Sequence, residues 1–271
     1  MQRTRLGAIA LGATALLGAA LASPAVAATE TGTTVPTYQE FKDSTLQDTD
    51  SQYIVNGDEP AGTNADLREF YDRLVGSDIP TNGLIVNTVG GADDTWSASQ
   101  ELNLTYCVSN KFGTATTTVV NAMSQGAGLW ETATSKVNFT YVPAQDASCT
   151  TRNNSVLFSV EPTSTTQYIA RAFFPSTAKR SRNVLVNASS LVNSGSWTPT
   201  NIIGHELGHT LGFRHEHTRP EAGTCFEDNN WRLLTPYDSA SIMHYPQCNG
   251  TSADLSMTST DRQGAVALYG A

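Results

Sequence analysis

The sequence predicts an α+β fold in which a twisted, mixed sheet of five strands carries packed helices, followed by an irregular lobe that ends in a helix. Three observations predict this fold. Five short runs of alternating or apolar residues lie between residues 101 and 187, and segments with apolar residues at helical spacing lie between and after them. Residues 216–258, in contrast, have little periodicity. Strands and helices mixed in this order are typical of a sheet with helices packed on it.

Residues 1–27 have the three parts of a secretory signal. Arg3 and Arg5 give a positive start, residues 7–22 form an apolar run of small residues and leucines, and residues 25–27 (Ala-Val-Ala) fit an A-x-A cleavage site. A membrane anchor is the alternative interpretation, but the run is short and rich in Ala and Gly. We therefore expect a soluble, exported product with no membrane partner once the signal is removed.

The segment between this signal and the predicted sheet contains one predicted helix. Residues 28–52 are polar with few apolar anchors, and they predict a flexible leader or a loosely packed pro-segment. Residues 65–75 have apolar side chains at helical spacing, with Asn64 as the expected cap. Residues 76–94 contain Pro, Asn-Gly and Gly-Gly, which predict a linker with one short strand at Leu84–Val86.

The five predicted strands cover residues 101–108, 137–142, 155–160, 168–174 and 183–187. The first of them alternates strictly between polar and apolar residues, as a strand with one buried face does. Between the first and second strands, residues 116–132 place apolar side chains on one face at helical spacing, despite Gly126 and Gly128. We therefore predict a helix there.

Two more helices are predicted after the strands. The pair Thr198-Pro199 is a start signal, because Thr caps a helix and Pro suits its first turn. The last helix is predicted over residues 259–269, with Ser259 or Thr260 as its cap and Val266 packed under the irregular lobe.

The first of these two helices contains the pattern His205-Glu206-x-x-His209-x-x-Gly212-x-x-His215. Positions four apart lie about 40° apart around a helix, so His205 and His209 face the same way and can reach one Zn²⁺ at about 2.0–2.1 Å. Glu206 projects from the neighbouring flank, close enough to contact a metal-bound water. Gly212 can take the left-handed conformation that ends a helix, which lets the chain bring His215 back as a third ligand.

Three protein ligands leave one position for water, which is the arrangement of a catalytic zinc site. The alternative is a surface helix that happens to be rich in histidine. It is disfavoured because all five histidines of the chain fall within 40 residues of each other.

The four cysteines are even in number, which in an exported chain favours two disulfides. Three connectivities are possible. We favour Cys107–Cys149 and Cys225–Cys248, which pair neighbours within each half of the domain. Zinc ligation by cysteine is disfavoured because no C-x-x-C spacing occurs and three histidines already suffice.

Composition restricts the range of partners. Of the 271 residues, 39% are hydrophobic and 15% are charged, which suits one or two small domains with an ordinary core. The formal net charge is −9 at pH 7. An acidic surface of this kind disfavours nucleic acid or an anionic membrane as a partner.

Two motifs carry a family resemblance. Residues 205–219 resemble the astacin signature HExxHxxGFxHExxR at every fixed position, and residues 237–245 resemble the astacin Met-turn, SxMHY. The chain therefore resembles an astacin-like zinc metalloprotease of the metzincin clan, over about residues 95–271. It departs from the family pattern at Pro220-Glu221-Ala222, directly after the signature.

The resemblance implies a zinc endopeptidase with helices above the substrate cleft, an irregular lobe below it, and one Zn²⁺ per chain. It implies that Glu206 is the general base, and that Tyr245 is a labile fifth ligand that swings away to stabilise the oxyanion. Met243 would form a hydrophobic floor beneath the histidines. The strand at residues 168–174 would be the sheet edge that pairs with extended substrate, although an ordinary paired strand is an equal alternative.

The resemblance also implies a zymogen, with a pro-segment at residues 28–92 and a catalytic domain at residues 93–271. Activation cleavage is expected within residues 76–95. Gly57-Asp58 resembles the part of astacin propeptides whose aspartate occupies the zinc. An ordinary turn after a strand explains Asn-Gly-Asp equally well.

Four polar residues near the zinc signature receive separate expectations. Glu216 receives the new amino terminus after activation in astacins, and a carboxylate without that role is the alternative. His217 is expected to face solvent or to lie behind the ligands, and His244 is expected to be structural. Arg219 is expected to pair with a nearby acid or to be solvated.

The leading hypothesis is a secreted, monomeric zinc endopeptidase that acts on proteins or peptides. A metzincin of another branch is a second hypothesis, and a catalytically silent zinc-binding module is a third.

Overall fold

The computed structural model describes residues 36–75 and 84–271. The predicted signal and part of the predicted linker therefore lie outside the described residues. Helices in the described part of the chain are all too short or too polar to cross a membrane.

The amino-terminal part of the described chain forms a small layer with its own apolar cluster. It contains α1 (Tyr38–Ser44), β1 (Leu46–Gln47), β2 (Tyr53–Val55), β3 (Glu59–Ala61) and α2 (Asn64–Val75). The three strands form an antiparallel sheet in the order β1-β2-β3. Helix α2 covers it, and its Leu67 and Phe70 are buried against Val55. The cap of α2 is Thr63, whose Oγ1 accepts from Asp66 N at 3.1 Å, so the predicted Asn64 cap is wrong by one residue.

The rest of the described chain forms the following strands and α-helices, in chain order: β4 (Ile85–Val89), β5 (Ala92–Asp93), β6 (Leu104–Val108), α3 (Thr116–Ala133), β7 (Phe139–Tyr141), β8 (Phe158–Pro162), β9 (Ala170–Arg171), β10 (Asn183–Val186), α4 (Ala188–Val192), α5 (Pro199–Thr210), β11 (Trp231–Leu233) and α6 (Ser259–Tyr269).

All five predicted strands lie in one five-stranded sheet, in the order β7-β6-β8-β10-β9. The neighbouring strands are parallel except for β9, which is antiparallel to β10. Strand β9 lies at the edge of this sheet, as predicted. It is shorter than predicted, because only Leu185 and Val186 of β10 lie opposite it. The predicted α+β fold with a mixed five-stranded sheet is confirmed.

Helices α3 and α5 pack closely, and glycine makes this approach possible. A Cβ atom at Gly126 would lie 2.8 Å from the backbone nitrogen of Gly204. A Cβ atom at Gly204 would lie 2.7 Å from the side chain of Leu129. The indole of Trp130 donates to the carbonyl of Gly204 at 2.7 Å and joins the two helices by a buried hydrogen bond. The predicted helix at residues 116–132 is confirmed, and Gly126 has a packing role.

Strand β4 belongs to the main core rather than to a peripheral linker. It pairs with β11 and β5, and Leu84, Ile85 and Val86 are buried. Leu84 N donates to Thr235 Oγ1 at 2.8 Å, and a Cβ atom at Gly264 of α6 would lie 2.1 Å from the Leu84 side chain. The predicted short strand is present, and it is packed into the region that also holds α6.

Both favoured disulfides are confirmed. Cys107 and Cys149 are bonded, and so are Cys225 and Cys248. The first joins β6 to the loop before β8, and the second joins two positions within the irregular lobe.

Helix α6 packs against the main core. Its cap is Thr258, whose Oγ1 accepts from Asp261 N at 3.1 Å, so both predicted caps are wrong. The predicted burial of Val266 is also wrong, because it is 37% exposed. Tyr269 donates to the carbonyl of Leu211 at 2.6 Å and fixes the residue that follows α5.

Candidate metal centre

Helix α5, here called the zinc helix, begins and ends as its sequence predicts. Thr198 Oγ1 accepts from Asn201 N at 3.1 Å, and Pro199 is the first helical residue. Gly212 after the helix has φ +97°, which L side chains rarely adopt. A Cβ atom there would also lie 2.2 Å from the carbonyl oxygen of Asp94. The turn at Gly212 returns the chain towards the helix.

The structure brings the three predicted histidines together. Nε2 of His205 lies 3.2 Å from Nε2 of His215. The rings of His209 and His215 have centroids 4.7 Å apart and are nearly perpendicular. All three side chains are buried. Three imidazole nitrogens therefore face one point at the base of the zinc helix.

The Nδ1 atom of each of these three rings forms a hydrogen bond with an oxygen atom. His205 Nδ1 donates to the carbonyl of Ile242 at 2.6 Å, and His209 Nδ1 donates to the carbonyl of Phe213 at 2.9 Å. His215 Nδ1 donates to Glu227 Oε1 at 2.8 Å. A ring that donates through Nδ1 presents the Nε2 lone pair on its other side, which is the tautomer of a metal ligand.

Asp58 occupies the fourth side of this histidine cluster. Its Oδ2 lies 3.3 Å from His205 Nε2, and its Oδ1 lies 3.2 Å from His215 Nε2 and 3.6 Å from His209 Nε2. Burial works against its negative charge, yet the neighbouring imidazoles of His215, His209 and His205 hold the pKa of Asp58 well below its usual range.

These four residues fit a zinc ion. Four ligand atoms placed tetrahedrally at about 2.0–2.1 Å from zinc lie about 3.3 Å from one another, close to the separations between Asp58 and the histidines. His209 Nε2 and Asp58 Oδ1 are buried without a hydrogen-bond partner among the described residues. Buried polar atoms without partners are rare, and a shared cation would satisfy both. His205, His209, His215 and Asp58 are therefore the residues that could hold the metal.

The turn between β2 and β3 carries Asp58 into this site. Asn56 has φ +54° and Gly57 has φ +99°, so the turn is built from residues that tolerate positive φ. A Cβ atom at Gly57 would meet Tyr245 at 3.6 Å, an ordinary contact. The positive φ, rather than close approach, is therefore what favours glycine at this position.

Glu206 is buried beside the cluster, and its Oε2 lacks a hydrogen-bond partner among the described residues. Burial and the nearby charge of Asp58 raise the pKa of Glu206 well above its usual value, while the positive charges of His215 and Arg171 oppose this rise. A raised pKa is typical of a carboxyl group that exchanges protons near neutral pH.

Tyr245 and Met243 lie on either side of the histidines. The Tyr245 hydroxyl donates to Asp58 Oδ2, and its ring stacks on His205 with centroids 5.2 Å apart. Burial and the Asp58 charge raise its pKa well above the usual value, so the hydroxyl keeps its proton. Met243 is fully buried, and a Cβ atom at Gly208 of the zinc helix would lie 2.4 Å from its sulfur. Met243 therefore packs against the zinc helix at Gly208.

A buried network that sequence reasoning missed lies behind His215. Besides accepting from His215, Glu227 accepts from Arg214 at 2.9 Å. Arg214 also donates to Asp228 and lies 3.5 Å from Glu59. Burial opposes the charge of Glu227, but His215, His217 and Arg214 together lower its pKa. Glu227 follows the signature in a stretch without periodicity, so no local signal marked it.

The remaining polar residues of the signature are all buried. Arg219 donates to Glu216 at 2.6 Å and to Glu221 at 2.8 Å, so the expected acid partner is confirmed. Burial raises the pKa of Glu216 to about 8, and its Oε2 lacks a hydrogen-bond partner among the described residues. Its predicted contact with a new amino terminus stays a prediction.

The two other histidines are buried as well. His217 is 2% exposed and stacks on His215, so the solvent-facing alternative is wrong and the position behind the ligands is correct. His244 lies 2.8 Å from the Tyr237 hydroxyl, and burial lowers its pKa to about 4. A neutral, hydrogen-bonded ring fits the structural role predicted for His244.

A cavity of about 220 Å³ opens beside the histidine cluster and Glu206. Its walls come from the edge strand, the zinc helix and the lobe. The lining residues include Tyr168, Ile169, Ala170, Trp197, Ile202 and Leu255. The cavity therefore connects the edge strand to the histidine cluster.

Comparisons with known proteins point to one class of enzyme. The Peptidase_M57 family, described as dual-action HEIGH metallo-peptidase, matches residues 98–230. High choriolytic enzyme 1 of Oryzias latipes is 38% identical in an alignment 71 residues long that covers 20% of this chain and 26% of that protein. Zinc metalloproteinase nas-30 of Caenorhabditis elegans is 38% identical in an alignment 63 residues long that covers 16% of this chain and 8% of that protein. The chain thus spans about a quarter or less of the length of these relatives.

Among solved structures, myroilysin matches with 18% sequence identity and a TM-score of 0.43, over 65% of this chain and 95% of that one. The family match and the relatives agree with the zinc signature and the Met-turn. The resemblance of this chain to astacin-like zinc metalloproteases of the metzincin clan is therefore confirmed.

Proposed function

We propose that the chain is a secreted zinc endopeptidase that is made as a latent zymogen and hydrolyses peptide bonds in proteins. The observation that carries this proposal is the set of four buried side chains around one point, three imidazoles and the Asp58 carboxylate. The predicted signal and the two disulfides support export.

The proposed chemistry depends on a water molecule taking the place of Asp58. When bound, zinc would lower the pKa of this water towards 7 and polarise the peptide carbonyl. Glu206 takes the proton from the attacking water and passes it to the leaving amine. Tyr245, released from Asp58, donates a hydrogen bond to the developing oxyanion, for which its protonated hydroxyl is suited.

Latency follows from the same geometry. Asp58 fills the position that an attacking water needs. Ile54 of the same amino-terminal layer packs on Tyr168, which lines the cavity. We propose that activation cleaves the chain before Leu84, because β4 is buried in the main core. The pro-segment would then end earlier than residue 92, and the catalytic domain would begin earlier than residue 93.

A second candidate function is a catalytically silent zinc-binding module. The observation in its favour is the four-residue ligand set, because closed sites with four protein ligands are typical of structural zinc. The buried Glu206, which has a free carboxylate oxygen beside the cluster, favours the peptidase. A metzincin of another branch would use the same cluster and remains an alternative within the enzyme class.

Casein hydrolysis by the zinc-loaded full chain, before and after limited proteolysis upstream of Leu84, tests the proposal. We expect activity only after proteolysis and only without a chelator. The Glu206→Ala variant should keep its zinc and lose activity. A proteolysed chain that holds zinc, retains both disulfides and cleaves no protein would support the silent module instead.

A further inference from the structure

His217 is buried beside the metal centre but does not face the metal position. Its side chain is 2% exposed, and it is not one of the four side chains around that position. Its ring stacks on the ring of His215 with centroids 4.6 Å apart, and on the ring of Tyr245 with centroids 5.1 Å apart. His217 therefore contacts both a residue that could hold the metal and the tyrosine proposed to stabilise the oxyanion.

The two ring nitrogens of His217 contact two different segments of the lobe. The backbone N–H of Tyr245 donates to Nδ1 at 3.3 Å. Nε2 lies 3.4 Å from Glu227 Oε1, the same oxygen that accepts from Nδ1 of His215 at 2.8 Å. An imidazole nitrogen that accepts a hydrogen bond carries no proton, so the proton of the His217 ring is on Nε2 and points to Glu227. His217 therefore has the opposite tautomer to the three histidines around the metal position.

The backbone of Tyr245 is held at both of its polar atoms. Its carbonyl accepts from the backbone N–H of Cys248 at 3.0 Å and lies 3.1 Å from Nδ1 of His244. Its N–H has His217 as its partner. Release of the Tyr245 hydroxyl from Asp58 is therefore a rotation of the side chain on a fixed backbone. The position of that backbone determines where the hydroxyl can reach.

We propose that His217 is a positioning residue for the Tyr245 hydroxyl. Through Nδ1 it fixes the Tyr245 backbone, and through Nε2 it ties that backbone to the Glu227 oxygen that orients His215. This inference rests on the proposed peptidase function. A donor stabilises developing charge best when it is held in place before the reaction. The shared oxygen of Glu227 would then keep the metal ligand and the oxyanion donor in a fixed relationship.

Nitrogen NMR of the zinc-loaded full chain, with ¹⁵N-labelled histidine, tests this geometry on an unaltered protein. His217 should show an unprotonated Nδ1 and a protonated Nε2, whereas the three histidines around the metal position should show a protonated Nδ1. The signals that disappear in His217→Asn identify those of His217. A protonated Nδ1 in His217 would overturn the proposal, whether or not the chain cleaves peptides.

Two substitutions separate the two nitrogens of His217. His217→Asn keeps an acceptor near the position of Nδ1, whereas His217→Gln keeps a donor near the position of Nε2 and loses that acceptor. Both are measured in the zinc-loaded full chain after limited proteolysis upstream of Leu84, with zinc content checked by elemental analysis. His217→Gln should lower kcat for a peptide about 10- to 100-fold with KM unchanged, because complete loss of an oxyanion donor costs about 10²- to 10³-fold. The loss in His217→Asn should be about tenfold smaller, because the hydrogen bond to Tyr245 is kept.

A Tyr245→Phe background shows whether His217 acts through the hydroxyl. There, His217→Gln should change kcat by less than about twofold, because two residues that act as a unit are not additive. An equal loss in both backgrounds, or a loss in His217→Asn as large as in His217→Gln, would refute the positioning role in an active enzyme. A zinc-loaded proteolysed parent that cleaved no peptide would instead refute the peptidase function, and this role with it.

Discussion

Oδ1 of Asp58 lies 3.2 Å from Nε2 of His215, although one residue belongs to the turn between β2 and β3 and the other follows the zinc helix. This contact joins the amino-terminal layer to the metal centre at the position that an attacking water needs. In the proposed function, latency and catalysis depend on the same few atoms, and substitution can separate the two.

Asp58→Asn in the full chain should raise the casein-hydrolysing activity of the unproteolysed protein by about tenfold or more. The reason is that Asn keeps the shape of Asp but loses the charge that holds it against the cation and the Tyr245 hydroxyl. Asp66→Asn on the exposed face of α2 is the matched control and should have no effect. Parent-level activity in a zinc-loaded Asp58→Asn chain would exclude Asp58 as the latency device.

Glu206→Gln should lower kcat by about 10²- to 10⁴-fold while one zinc per chain is retained, because a positioned general base contributes that much. Metal content by elemental analysis and turnover of a peptide substrate measure the two effects separately. His209→Ala should instead lower the zinc content. If Glu206→Gln lost zinc as His209→Ala does, Glu206 would have to be assigned to the metal rather than to the proton.

Glu227→Gln should weaken zinc binding by about 10- to 100-fold, the usual effect of removing the group that orients a ligating histidine. The charge of Glu227 also makes the ring of His215 a better ligand. Glu221→Gln, which changes a carboxylate that contacts Arg219 instead, should leave zinc affinity unchanged. Competition with a chromophoric chelator provides the measurement, and equal affinities for the two variants would contradict the role of Glu227.

Sequence reasoning predicted the parts of the centre that depend on local geometry. The spacing of His205 and His209 on one helix and the turn at Gly212 are properties of a short stretch, and both are present in the structure. Asp58 could not be distinguished from a simple turn residue, because Asn-Gly-Asp describes both. Glu227 and the burial of His217 depend on contacts between distant segments, which no spacing encodes.

Two helix caps were missed although the sequence contains their signal. Thr63 precedes Asp66, and Thr258 precedes Asp261, in the T-x-x-D pattern related to the capping box. The length of β9 was overestimated for another reason. A run of apolar residues predicts where a strand can form, but the partner strand determines how many residues pair.

Low pH should loosen the amino-terminal layer at Arg171, whose Nε lies 2.8 Å from Asp48 Oδ2. Burial raises the pKa of Asp48, but the hydrogen bonds from Tyr168 and Arg171 and the charge of Arg171 lower it by more, so the pKa lies below its usual value. A carboxyl group whose pKa falls on folding stabilises the fold above its unfolded pKa, about 3.9, and loses that effect as the pH falls through the folded pKa. The contact should therefore be intact at pH 5 and weakened near pH 3.

Hydrogen exchange of residues 45–52 in the zinc-loaded full chain, corrected for the intrinsic rate, measures this effect. Asp48→Asn removes the titrating group, so its protection should be lower than that of the parent at pH 5 and should change less between pH 5 and pH 3. Equal protection in the parent at both pH values would contradict the contribution of Asp48.

Alanine at two glycines of α3 should change stability in opposite directions. Gly126→Ala should destabilise the chain by about 1–3 kcal/mol, because the new Cβ atom would lie 2.8 Å from the backbone of the zinc helix, which cannot move away as a flexible side chain can. Gly128→Ala meets no atom within 4 Å and should stabilise the chain by about 0.5–1 kcal/mol, since alanine restricts the unfolded chain more than glycine.

Urea unfolding of the zinc-loaded full chain with its disulfides intact gives both free energies of unfolding. The pair controls for helix propensity, because both substitutions lie in the interior of the same helix and add the same methyl group. Loss of stability in both variants would mean that alanine itself is unfavourable in α3. A gain in both would mean that α3 and α5 are not in the close contact around Gly126 and Gly204 on which the position of the histidines depends.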